Sequence, residues 1–111
     1  MLPTKARLRA SRDFQAVFSR GKSHADPLLV LYALPRPDGA TRFGFSVGRK
    51  VGGAAQRNRV KRLLREAARG LMLETSPGHD FVVVARARAK DASFADVCAS
   101  MRRLMGRLPG E

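Results

Sequence analysis

The chain is predicted to fold as a single α+β domain, a two-layer sandwich of a small, mainly antiparallel sheet with about three helices. Three observations lead there. In 111 residues the hydrophobic content is 44%, enough for one core in a chain that buries roughly 65% of its unfolded surface on folding. Two segments, Val60 to Leu71 and Val97 to Leu108, carry apolar residues at helical spacing. Three runs of strand length, Leu28 to Leu34, Arg42 to Val47 and Phe81 to Ala87, are apolar or alternating and lie between Pro and Gly punctuation. No repeat or linker divides residues 1–111, so they form one domain.

Residues 1–10 hold Pro3 with Lys5, Arg7 and Arg9 and show no periodicity, which predicts a mobile basic arm. Ser11 is the expected N-cap of a short helix. Asp13 stands in its first turn, and Phe14, Val17 and Phe18 recur at i, i+3 and i+4 until Gly21 stops it. The runs Leu28 to Leu34 and Arg42 to Val47 flank Pro35-Arg36-Pro37-Asp38-Gly39, so they are expected to pair as an antiparallel hairpin. After the glycine-containing loop from Gly48 to Gly53, a helix begins near Ala54, with Val60, Leu63, Leu64, Ala67, Ala68 and Leu71 on one stripe. At about 100° per residue, Asn58, Arg62, Arg65 and Arg69 lie opposite that stripe, flanked by Arg59 and Lys61. Ser76-Pro77-Gly78 closes the connection to the Phe81 to Ala87 run, expected to be a buried strand. A last helix starts near Ser93, with Val97, Met101, Leu104, Met105 and Leu108 facing inward.

Charge narrows the function. The chain has 22 Lys plus Arg against 9 Asp plus Glu, a net charge of +13, and 17 of the basic residues are Arg. Arginine's planar fork suits bidentate contact with phosphate, which points to a polyphosphate partner. Between Arg49 and Arg69 eight basic residues face one acid, Glu66. Arg57, Arg59 and Lys61 stand in the first two turns of the long helix, where the dipole alone favours Asp or Glu. With Arg49 and Lys50 just upstream and free backbone N–H groups at the helix start, they make an anion site. A second basic cluster, Lys5, Arg7, Arg9, Arg12, Arg20 and Lys22, faces only Asp13. Phe14, Phe18 and Tyr32 suit stacking against unpaired bases, although two Phe on one helix, taken alone, more often belong to a core. Strand parity puts Arg42, Gly44 and Ser46 on one face, small enough to leave room for a ligand backbone.

Protein-based catalysis finds little support. His24 and His79 are expected in unrelated loops and the carboxylates are scattered, so neither catalytic nor metal-ligating residues are expected. The loop from Gly48 to Gly53 lacks the Gly-Lys-Ser/Thr ending of a phosphate-binding loop. The single cysteine, Cys98, reads as a small core residue and fits a reducing, cytoplasmic setting. The longest apolar run, Leu28 to Leu34, has seven residues, against ~20 for a membrane span. No membrane association is expected.

From Phe43 through the basic signature Arg57-Asn58-Arg59-Val60-Lys61-Arg62 the chain resembles the bacterial ribonuclease P protein component. Asp13-Phe14-Gln15-Ala16-Val17-Phe18, Leu29-Val30-Leu31-Tyr32 and Asp80 to Arg86 extend the resemblance over nearly the whole chain in the expected order. The resemblance implies a small, monomeric subunit that joins a catalytic RNA, ribonuclease P RNA, and promotes removal of the 5′ leader from precursor tRNA. Cleavage would belong to the RNA and the Mg²⁺ it holds. Arg49, Lys50, Arg57, Asn58, Arg59, Lys61, Arg62 and Arg65 would then meet the RNA subunit, and Phe14, Phe18, Tyr32 and Ser46 the single-stranded leader. It also implies a left-handed βαβ crossover around the basic helix, against the ~98% right-handed expectation. This chain has Gly53 where the family usually has Asn before that helix, and Gly48 where it usually has Ser. Loss of the Asn cap costs only a few tenths of a kcal/mol. The alternative is a stand-alone RNA-binding or ribosomal protein, which the same charge and rings would serve.

Overall fold

The computed structural model describes residues 6–72 and 78–108. In chain order it contains α1 (Ser11–Arg20), β1 (Lys22–Ala25), β2 (Leu29–Pro35), β3 (Arg42–Ser46), α2 (Ala54–Leu71), β4 (His79–Ala85) and α3 (Phe94–Met105). Short 3-10 turns at Arg49–Val51 and Ala87–Asp91 precede α2 and α3. The strands form one mixed sheet in the order β1-β2-β4-β3.

The sheet departs from the expected hairpin between β2 and β3. These strands do not pair with each other, because β4 lies between them, antiparallel to β2 and parallel to β3. The physical reason is burial. His79–Ala85 is buried at every position except Val84, and a strand covered on both faces belongs in the middle of a sheet. The real hairpin joins β2 to β1, a short strand that the sequence reading missed because Lys22-Ser23-His24-Ala25 is mostly exposed. Such a short, charged segment suits a sheet edge. Its turn is held by Asp26, whose Oδ1 accepts from the Leu28 and Leu29 amides, each at 2.9 Å.

At the opposite edge the expected mobile arm is corrected. Ala6 and Leu8 are each 4% exposed, Arg7 forms a parallel bridge with Phe43, and the Leu8 amide donates to the Phe43 carbonyl at 2.8 Å. Residues 6–8 therefore line the β3 edge. Residues 1–5 of that arm, and Ser76 and Pro77, lie outside the described residues.

α2 and α3 cover one sheet face. Val60, Leu64, Ala67, Ala68 and Leu71 of α2 pack with Val97, Met101 and Leu104 of α3 over Leu29, Leu31, Phe43, Phe81 and Val83. The inward stripes are those expected, with Leu63, Met105 and Leu108 partly buried at their margins. Ser93 caps α3 reciprocally with Asp96, each amide donating to the other's side chain at 3.0 Å. Gly53 has no side chain to cap α2, and the Gln56 Oε1 instead accepts from the Gly53 amide at 3.0 Å. α1 covers part of the other face as a partial third layer, packing Val17 over Val82 and Leu8. Its N-cap is Ala10, one residue before the expected Ser11, and no side chain caps it.

Candidate nucleic-acid interface

Cross-strand pairing builds the floor of a cleft beside α1. Tyr32, Val82 and Gly44 are in register on one row, and Val30, Val84 and Ser46 on the next. α1 crosses this face and brings two rings to it. The Phe18 and Tyr32 rings meet edge to face at 4.9 Å and 87°, and the Phe14 and Phe18 centroids are 6.4 Å apart. Such tilted and edge-to-face pairs are favourable ring geometries.

Gly44 explains how Phe14 is seated. A Cβ on Gly44 would stand 2.5 Å from Phe14 Cζ and 3.1 Å from Leu8 Cβ. The room that strand parity left at Gly44 for a ligand backbone is thus filled by this chain's own Phe14 and Leu8. Ser46, one row further on, is half-buried at the open end of the face.

Phe18 is 42% exposed and Phe94 is 48% exposed. A single exposed ring on a surface needs no explanation. Phe94, at the start of α3, has no ring neighbour among the described residues, whereas Phe18 continues a run of three rings over a sheet face. The second arrangement gathers rings over a sheet face, the chemistry that base stacking needs. At Val84 it meets an open cavity of about 840 Å³ lined also by Lys50, Arg86 and Arg88. Arg86 is fixed there, its Nη1 donating to the Asp26 carbonyl at 3.1 Å. The sequence reading gave Arg86 and Arg88 no binding role. Their signal was Arg-Ala-Arg directly after a buried strand, where the chain leaves the core.

The second surface is α2. Asn58, Arg59, Arg62 and Arg65 are exposed, Arg57 and Lys61 half-buried, and Arg49 and Lys50 exposed on the preceding turn. Arg57, Lys61 and Arg65 recur every fourth residue and so share one flank of the helix. Lys61 and Arg65 border a cavity of about 180 Å³ whose other walls include Arg7, Arg9 and Phe45. Phe14 also lines it, so the basic flank and the ring cleft adjoin. Arg57 Nε is buried without a hydrogen-bond partner among the described residues.

Arg59 does not stand free. Its Nη1 and Nη2 donate to the Lys90 and Ala92 carbonyls at 3.2 and 3.0 Å, tying the turn before α3 to α2. Arg59, expected as a phosphate ligand, thus also has a structural contact. Arg69 is held by Glu66 at 3.0 Å.

Acidic groups near these surfaces are engaged. Asp80 is buried and takes Arg42 in a two-point contact at 2.9 and 2.8 Å, with Arg36 at 3.5 Å. The Asp80 hydrogen bond pushes the Arg42 guanidinium pKa up. Asp26 Oδ2 accepts from the Ser100 hydroxyl at 2.6 Å and Arg103 at 2.9 Å. Burial pushes its carboxyl up, but the Ser100 hydroxyl, the Leu29 and Leu28 amides and Arg103 outweigh it, lowering it from 3.8 to about 2. Among the described residues no three His, Cys, Asp or Glu side chains converge on a point that could hold a metal ion. His24 and His79 lie in β1 and β4 rather than in loops. Cys98 packs against the core, and burial pushes its thiol up, away from reactivity. No helix among the described residues is long and apolar enough to cross a membrane.

Comparison with known proteins agrees with this arrangement. The Ribonuclease P family profile matches residues 2–109. A ribonuclease P protein component from Clostridioides difficile is 43% identical over 101 residues, spanning 90% of this chain and 89% of that protein. One from Shouchella clausii is 43% identical over 100 residues, 89% of this chain and 82% of that protein. The solved RNase P protein from Thermotoga maritima superposes with a TM-score of 0.84 at 32% identity, covering 94% of this chain and 98% of that one. The Staphylococcus aureus RNase P protein gives 0.83 at 29% identity, covering 91% and 93%. These matches set aside a stand-alone or ribosomal RNA-binding protein. The fold is that of the solved RNase P proteins, and the chain belongs to the ribonuclease P protein family.

Proposed function

We propose that this chain, a ribonuclease P protein subunit serving 5′ maturation of tRNA, divides its RNA contacts between two surfaces. The cationic flank of α2, with Arg49 and Lys50, meets phosphates of the RNA subunit. The cleft of Phe18, Tyr32 and Ser46, continued by Lys50, Arg86 and Arg88, receives the single-stranded leader of the precursor. The observation that carries this division is chemical: one surface sets Phe18 edge-on to Tyr32 over a sheet, the other exposes a run of cations, Arg49, Lys50, Arg62 and Arg65, along one helix and the turn before it. Unpaired bases stack on rings at ~1–3 kcal/mol each, whereas structured RNA is held chiefly by its phosphates.

Cleavage is assigned to the RNA subunit and the Mg²⁺ it holds. The described residues do not suit a resident Mg²⁺: no three of their His, Cys, Asp or Glu side chains converge, Asp26 and Asp80 are taken up by Arg and amide donors, and Asp13 lies beside Arg42. One protein copy per cytoplasmic holoenzyme completes the proposal, supported by a charge of +13 that repels a second copy. Incubating the protein with precursor tRNA and Mg²⁺, then adding ribonuclease P RNA, tests the assignment. Cleavage only after the RNA is added is expected, and cleavage by the protein alone would overturn it.

A further inference from the structure

We infer that Arg42 is a positioning residue for the leader cleft, because it ties Asp13, at the N-terminal end of α1, to the buried Asp80 of the sheet. The inference rests on the cleft reading proposed above. Arg42 opens the edge strand β3 and is in register with Asp80 of β4. Its Nε and Nη2 donate to the two Asp80 oxygens, which fixes the guanidinium plane. The remaining nitrogen, Nη1, lies 3.5 Å from Asp13 Oδ2.

The position of α1 is set at three points. Its C-terminal end is joined to β1 through Gly21, and its middle is packed by the fully buried Val17. At the N-terminal end the Leu8 amide is bonded to the Phe43 carbonyl and Phe14 packs on Gly44, and Arg42 adds the side-chain tie at Asp13, the residue before Phe14. Without that tie the helix start is held by packing alone, and a small rotation about Val17 shifts the exposed Phe18 relative to Tyr32. A one-point ion pair between partly exposed side chains adds little stability. Its effect is therefore expected in ring placement more than in melting. The contact also accounts for an acid in the N-terminal basic cluster: paired with Arg42, Asp13 does not face an RNA strand as a bare negative charge.

The test uses the reconstituted holoenzyme with a long-leader precursor and one whose leader is too short to reach the cleft. Asp13→Ala removes the tie. Arg42→Lys keeps a cation for Asp80 but lacks the fork that reaches both acids. Each variant should raise KM for the long-leader precursor by about three- to fivefold, the upper range for an exposed pair, and leave the short-leader precursor unchanged. Asp13→Glu should restore the long-leader value. Tyr32 is the one tyrosine of a chain without tryptophan, so its fluorescence reports the cleft directly, and both tie-breaking variants should make it more accessible to acrylamide. Tyr32→Ala serves as the reference. If it is leader-selective while Asp13→Ala and Arg42→Lys are not, or if these two weaken both precursors equally, the positioning role is overturned and the cleft stands. If Tyr32→Ala is itself indifferent to leader length, the cleft reading falls and the positioning role with it.

Discussion

The flank of α2 and the cleft beside α1 both suit RNA, yet they are built in opposite ways. The α2 surface is local: one helix places Arg57, Lys61 and Arg65 on the same flank by periodicity alone, while Val60, Leu64 and Leu71 anchor it. The cleft is assembled from segments far apart in the chain, with Phe14 seated on Gly44 and Phe18 edge-on to Tyr32. Phosphate recognition tolerates this simplicity because it needs only positive charge within reach. Base stacking needs a platform, and a platform needs tertiary structure. The two surfaces should therefore respond differently to substitution.

The largest expected effect falls on the local surface. Replacing Lys61 and Arg65 together by Ala should weaken binding of ribonuclease P RNA on the order of a hundredfold, given charge-assisted hydrogen bonds of about 1.5–3 kcal/mol each. The plot of log K against log salt should become shallower by about one to two units, with melting unchanged, since neither side chain joins the apolar stripe. A lower melting temperature with an unchanged salt slope would make these residues structural.

Next comes Asp26, which holds the turn under the Arg86 end of the groove and joins it to α3. Its folded-state carboxyl lies at about 2, below the ordinary 3.8. The associated stability is fully present above pH 4 and is lost as the pH falls through 2. A shift of this size corresponds to roughly 2 kcal/mol. Asp26→Asn should remove that amount at pH 7 and flatten the acid limb of a stability–pH profile between pH 4 and 2. An unaltered acid limb would place the acid sensitivity elsewhere.

A methyl group on the cleft floor should do somewhat less. In Gly44→Ala the new Cβ must displace the Phe14 ring, a form of overpacking expected to destabilise by on the order of 1–2 kcal/mol. Leader-dependent affinity should fall with it, while affinity for the RNA subunit should hold. Loss of RNA-subunit affinity instead would erase the distinction between the two regions.

The smallest effect sharpens the comparison within α2. Arg59 bonds two carbonyls of the turn before α3, so Arg59→Ala should lower stability by about 1 kcal/mol. It should change the salt slope less than Arg62→Ala does, since Arg62 is exposed on the outer face. Equal changes in slope would return Arg59 to the phosphate-binding set.

What was legible beforehand follows the same divide. α2, α3, the Ser93 cap and the buried β4 were readable because periodicity, capping chemistry and apolar runs are properties of neighbouring residues. The strand order was not, because β2 and β3 pair with a strand about fifty and about forty residues later in the chain, and local turn chemistry at Pro35 to Gly39 argued for a hairpin. β1 carried no apolar signal, and the occupant of the space at Gly44 came from α1, thirty residues earlier. Arg59 looked identical to its neighbours in sequence, since its carbonyl partners lie 31 and 33 residues away. The rings and the α2 cations were nameable from the sequence, but Arg86 and Arg88 were not, and which side chains were open to RNA required the packing.

The central claim is that the ring cleft reads the unpaired leader and α2 does not. Measuring holoenzyme affinity of Tyr32→Ala for a long-leader and a short-leader precursor tests it most directly. A loss of ~1–3 kcal/mol confined to the long leader, the worth of one stacked base, is predicted. An equal loss on both precursors, accompanied by lower thermal stability, would make Tyr32 a core residue and contradict the account.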